Sequence, residues 1–117
     1  MPFQNKKIQG YLTRFELDAL DKVKTELKTQ WPGIKMKLFG SKITGEFDEE
    51  SDLDMLIPLP CEVTASIRRK IIHKVFEINL QFDTNISPLI LAENEWEGPI
   101  VSSLPVHHFI EKEGVSL

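Results

Sequence analysis

The stretch from Leu38 to Leu59, LFGSKITGEFDEESDLDMLIPL, restricts the fold more than any other part of the chain. It finishes in an apolar run, Leu53 to Leu59, whose end is marked by Pro58 and Pro60 and which reads as a strand. Asp52 and Asp54 lead into that run. A strand puts residues i and i+2 on the same face, so the two carboxylates point the same way, roughly 6–7 Å apart at the backbone. Charges that close repel unless something neutralises them, and a divalent cation is the usual answer. Ten residues before the pair, Gly40-Ser41 closes another apolar run and has the composition of a turn that presents backbone N–H groups.

The remaining segments supply layers to cover such a strand. Thr13 and Glu16 have capping-box spacing, and Phe15, Leu17, Leu20, Val23 and Leu27 recur at mostly helical intervals, predicting a helix over Arg14 to Gln30. Trp31-Pro32-Gly33 stops it. Ile34 to Phe39 alternates as a short strand, with Lys35 and Lys37 opposite Ile34, Met36 and Leu38. Lys37 is a solvated residue or a neighbour of a phosphate. Ser41 to about Glu46 reads as a short helix or turn ending at Gly45, and Phe47 to Ser51 as a solvated acidic loop. Val63, Ile67, Ile71, Val75 and Ile78, widened by Ile72 and Phe76, form one stripe of a helix over Glu62 to Leu80. Its basic face, with His73 among Arg68, Arg69, Lys70 and Lys74, is a solvated surface or a dock for an acidic partner. Phe82 to Leu91 reads as a third strand, and Pro88 puts it at an edge or a bulge. Glu93 to Pro99 is a loop carrying Trp96. Ser103 to Glu113 is a last helix, with Pro105 in its first turn and Gly114 past its end. Strands separated by helices with short connections make a small α/β layer. The expected architecture is one domain over residues 1–117, with residues 1–12 as a polar lead-in.

Composition narrows the function. Of the 117 residues, 41% are hydrophobic, enough for one core and not for two. The net charge of −4 lacks the basic footprint of a protein that holds long nucleic acid unaided, though a nucleotide needs only a few local donors and a metal. Cys61 is the only cysteine, which rules out an internal disulfide and fits a reducing compartment. There is no apolar run of membrane-spanning length and no leader-like segment at the start, so a cytoplasmic protein without a membrane contact is expected.

A chain that leaves a strand and starts a helix carries outward N–H groups with partial positive charge, where phosphate binds readily. Glycine allows close backbone approach, serine adds a hydroxyl, and Lys42 adds charge. Gly40-Ser41, ten residues, then Asp52-x-Asp54 resembles the signature of the DNA-polymerase-β-like nucleotidyltransferase superfamily. Gly45, Ser51 directly before the first aspartate, and the apolar tail after the second match as well. Within that superfamily the chain is similar to the minimal nucleotidyltransferases over roughly residues 12 to 117. The resemblance implies an α/β (α+β) fold with a small mixed sheet packed with helices. It also implies a two-metal Mg²⁺ site on Asp52 and Asp54, and a nucleoside triphosphate, most plausibly ATP, held by Gly40, Ser41, Lys42 and Ser51. Nucleotide monophosphate would pass to a hydroxyl of a partner macromolecule. Minimal members often pair with a separate all-helical HEPN protein, which implies an antitoxin acting on a HEPN toxin. Members usually carry a third carboxylate on the strand beside the pair. The natural alignment puts Ser87 there, and Asp83 reaches it only with a different register or a bulge. The alternatives are a protein that keeps the fold and acts by binding its partner, or a stand-alone modifier of a small molecule. Self-association is left open. His107 and His108, being adjacent, splay around a helix, where one of them can line the site.

Overall fold

In the computed structural model, residues 11–44 and 52–117 are described. The readings for the lead-in up to residue 10, Gly45, the acidic loop and Ser51 fall outside them. Helix α1 runs Arg14–Gln30, as its periodicity predicts. Thr13 caps it by a complete capping box: the Thr13 N–H donates to Glu16 Oε1 at 2.9 Å and the Glu16 N–H donates to Thr13 Oγ1 at 3.1 Å. Strand β1 is only Lys37–Phe39, helix α2 is Ser41–Thr44, and strand β2 is Leu53–Leu59. Helix α3 covers Ala65–Phe82, strand β3 Ile86–Ala92, helix α4 Glu93–Trp96, helix α5 Pro105–Glu113 and strand β4 Val115–Ser116. A single 3-10 turn, Val101–Ser103, precedes α5.

The four strands form one mixed sheet in the order β3-β2-β1-β4. β2 is parallel to β3 and antiparallel to β1, and β4 is antiparallel to β1. The two prolines fit this order. β3 is an edge, so Pro88 withholds an N–H from a strand with a neighbour on one side, as the sequence led us to expect. Pro58 lies past Leu56, the last β2 residue paired with β1, where β2 also has only one partner.

Alternation along β2 divides the molecule. Leu53, Met55, Ile57 and Leu59 join a core with Leu17, Leu20, Val23 and Leu27 of α1 and Ile71, Val75 and Ile78 of α3. Each of these buried aliphatic side chains contributes about 1.5–3 kcal/mol of transfer free energy. Leu56 points the other way, into a smaller cluster with Trp96 and Ile110. Ile72 and Phe76 do not widen the buried stripe of α3: they are about half exposed, as is Phe15 on α1.

Three boundaries differ from the sequence reading. Ile34 and Met36 are buried as expected, but only Lys37 onward meets a partner strand. The segment from Asp83 to Asn85 is a turn closing α3 rather than the start of β3. Trp96 ends a short helix and is buried rather than sitting on a loop.

Candidate active site

Asp54 is the second residue of β2 and the one break in its otherwise buried pattern. It shares a face with Leu56, and Asp52, immediately before the strand, shares that face by the same alternation. The two carboxylates therefore stand on the side of the sheet opposite α1 and α3. Register places their neighbours. Asp54 lies between Phe39 on β1 and Ser87 on β3. Asp52 lies beside Asn85, whose Nδ2 donates to Asp52 Oδ1. Ladder pairing reaches this far, since the Leu53 N–H donates to the Asn85 carbonyl at 3.0 Å.

Asn85 is held in place by the turn that ends α3. Asn79, near the helix end, accepts from the Ile86 N–H at 2.9 Å and donates to the Ile86 carbonyl at 3.1 Å. It also receives the Thr84 hydroxyl at 3.0 Å. One amide side chain thus satisfies both backbone groups of the first residue of β3 and sets where Asn85 and Ser87 fall. Asp83 is the C-cap of α3 in the left-handed conformation, φ 55° and ψ 51°. It is exposed and lies before β3, so it shares no strand face with Ser87.

Gly40 approaches the same carboxylate from β1. Its φ of +90° is a conformation that side-chain-bearing residues rarely adopt, and a Cβ built there would overlap Asp54 Oδ2. The glycine makes room for Asp54. Ser41 then opens α2, and the Ile43 N–H donates back to the Gly40 carbonyl at 3.1 Å. Lys42 is buried, with Nζ 3.3 Å from Glu16 Oε2. Glu16 thus serves the cap of α1 with one oxygen and Lys42 with the other, tying the site loop to the first helix.

Burial, and then the negative charge of Asp52, raise the Asp54 carboxyl above its usual 3.8. Among the described residues no three His, Cys, Asp or Glu gather where a metal ion could be held. The wall beside this floor is the α4–α5 layer. The Trp96 indole N–H donates to Glu111 Oε1 at 2.9 Å, and Lys37 Nζ is 3.4 Å from Glu111 Oε2. That indole bond, aided by Lys37 and opposed by burial, holds the Glu111 carboxyl below its usual 4.5. His107 stacks on Trp96 with ring centroids 4.3 Å apart. Lys37 pairs in register with Leu56, one same-face position beyond Asp54. The sequence reading missed the Lys37–Glu111–Trp96 link, whose members are far apart in the chain.

A cavity of about 350 Å³ lies elsewhere, between the end of α1 and the start of α3, lined by Leu27, Trp31, Ile67 and Lys70 among others. The basic face there is partly satisfied: His73 is 2.8 Å from Glu77 and Lys74 is 3.9 Å from Glu26.

Against known proteins, the family model described as "Nucleotidyltransferase domain" matches residues 20–102. The chain belongs to the nucleotidyltransferase domain family. That match takes in every strand from β1 to β3 and both candidate motifs. A Methanocaldococcus jannaschii protein named "Putative protein adenylyltransferase" is 43% identical over 53 residues, covering 45% of this chain and 54% of that protein. The chain thus spans about half the length of the curated relative it matches. No solved structure matches the chain. The mixed sheet packed with helices agrees with the nucleotidyltransferase fold that the resemblance implied. No helix among the described residues is long and apolar enough to cross a membrane.

Proposed function

We propose that the chain is a Mg²⁺-dependent nucleotidyltransferase that moves AMP from ATP onto a hydroxyl of a partner macromolecule, as the cytoplasmic antitoxin of a HEPN toxin. The observation that carries the reading is the meeting of Gly40 and Asp54: a positive-φ glycine whose missing side chain leaves space for the carboxylate. It brings the Gly40-Ser41 turn and the Asp52–Asp54 pair to one spot. The donor set fits a hard cation, because it is all oxygen and its two carboxylates stand on one face, with Asp54 raised by burial and then by the charge of Asp52. Asp52 and Asp54 would hold the ion, which supplies charge neutralisation for the entering and leaving oxygens. Gly40 and Ser41 orient the triphosphate by backbone and hydroxyl donors, and Ser51, which directly precedes Asp52 in the sequence, is a further candidate contact. Lys42 is buried and paired with Glu16, so it serves the site by holding α2 and the Gly40-Ser41 turn against α1. Asp83, expected from the sequence as a further ligand, caps the end of α3 and shares no strand face with Ser87, so it is left out of the proposed donor set. The adenylyl group and the macromolecular acceptor rest on the name of the partial relative.

The test is transfer of label from α-labelled ATP, with Mg²⁺, to a co-expressed small helical partner. Labelling that disappears in Asp52→Asn/Asp54→Asn supports the reading, and absence of label on any partner counts against it. A second reading has its own observation: Asp54 faces the neutral Ser87, and Asp52 faces the neutral Asn85. In that case the domain neutralises its partner by binding alone, and the double variant retains full neutralisation.

A further inference from the structure

We propose that Asn85 is a positioning residue for Asp52, and that it makes cation binding at this site depend on the triphosphate. The inference rests on the nucleotidyltransferase reading of the site above. Asp54 and Ser87 are register partners across the parallel pairing of β2 and β3, and Asp52 and Asn85, each just before its strand, meet through a hydrogen bond, so the four form a two-by-two array. One column is charged and the other is neutral. The Asn85 amide donates to Asp52 Oδ1, which fixes the carboxylate and leaves Oδ2 for a ligand. Asn85 is itself fixed, because Asn79 clamps both backbone groups of Ile86 and the Leu53 N–H takes the Asn85 carbonyl.

The consequence follows from charge. Mg²⁺ gives up water reluctantly and is commonly held by one or two carboxylates together with substrate phosphates, and Mn²⁺ is an oxygen-seeking stand-in for it. The array offers two carboxylates, one of them already engaged by a hydrogen-bond donor. A free hydrated cation gains little here, whereas a cation chelated by a triphosphate arrives with most of its oxygens in place. The neutral column therefore selects the cation–nucleotide complex over the free cation. A carboxylate at position 85 or 87 would remove that selection.

The experiment is Mn²⁺ binding to the whole chain, read by electron paramagnetic resonance, with and without a non-hydrolysable ATP analogue. Wild type is expected to bind the Mn²⁺–analogue complex more tightly than Mn²⁺ alone, with chelation by the analogue measured separately without protein. Asn85→Asp is expected to raise affinity for Mn²⁺ alone, and Ser87→Asp serves the same purpose should the first variant fold poorly. Asn85→Ala is expected to weaken binding in the presence of the analogue by about 10- to 100-fold, the usual effect of losing a residue that orients a metal ligand. Wild type binding free Mn²⁺ as tightly as the complex, or both carboxylate variants leaving free-ion affinity unchanged, overturns the inference while leaving the transferase reading intact. Failure of wild type to bind the analogue with any cation overturns both.

Discussion

The two faces of the sheet are built from the same strands and differ in nearly every other respect. On the α1–α3 side, Leu53, Met55, Ile57 and Leu59 are all but inaccessible and meet a continuous aliphatic layer. On the other side the same strand presents Asp54 and Leu56, with Asp52 just before it, and the neighbouring strands add Lys37, Phe39 and Ser87, with Asn85 just before β3. There the apolar contact shrinks to Leu56, Trp96 and Ile110, with partly buried neighbours. One face carries most of the buried apolar surface, and the other holds two like charges beside a smaller apolar cluster. The difference teaches that function here is purchased by parity: a one-residue slip of β2 would exchange the faces and put the carboxylates into the core.

That division can be broken by substitution. The largest effect expected is on transfer: Asp54→Asn lowers it by about 10²–10³-fold or more, while folding is kept. Labelling assays and a thermal melt on the same preparation check both halves. On the other face Ile57→Ala costs about 2–5 kcal/mol by denaturant unfolding, since it empties a fully buried position. It should leave transfer per folded molecule nearly unchanged. Gly40→Ala falls between the two. Positive φ costs about 1–3 kcal/mol, and the new Cβ displaces the Asp54 carboxylate, so transfer drops by more than stability alone explains.

The smallest expected effects are in the pH dependence, and the site face contains both signs. The Asp54 carboxyl is raised above 3.8, so the folded chain binds this proton more tightly than the unfolded one. Its contribution therefore turns unfavourable as pH rises from 3.8 through the raised value. Glu111 is held below 4.5, so its contribution is present above 4.5 and is lost as pH falls through its folded value. Melting temperatures across the acid range should show Asp54→Asn gaining on wild type toward neutral pH. Glu111→Gln should lose less than wild type on acidification, with a cost at neutral pH of roughly 1 kcal/mol or less, as for a half-exposed ion pair. If both variants melt in parallel with wild type, the electrostatic contrast within the site face is absent.

Much of the first face was legible in the sequence, because periodicity reports burial. α1 and β2 begin and end where their patterns do, and the Thr13–Glu16 cap needs only local spacing. The second face was legible only where neighbours in sequence carry it, as in Asp52-x-Asp54 and Gly40-Ser41. Its other half depends on long-range pairing. Asn85 meets Asp52 only because β3 starts at Ile86, and that start is set by Asn79 in the preceding helix. The strand reading from Phe82 placed Asp83 on the wrong kind of backbone, since α3 continues through Phe82 and Asp83 turns left-handed to end it. β4 has two residues and no pattern of its own, and it exists because β1 offers Leu38 and Lys37 as partners. Trp96, Glu111 and Lys37 come together only once α4 and α5 fold over Leu56.

The most direct test is the location of the cation–nucleotide complex on the chain. Amide NMR resonances of wild type would be followed as Mn²⁺ and a non-hydrolysable ATP analogue are added in small amounts. Loss of the Gly40, Ser41, Asp52, Leu53, Asp54, Asn85 and Ser87 signals, with Arg69, Lys70 and His73 on α3 unaffected, is the predicted result. Broadening centred on α3, or an unchanged spectrum, would contradict the assignment of nucleotide chemistry to the carboxylate face.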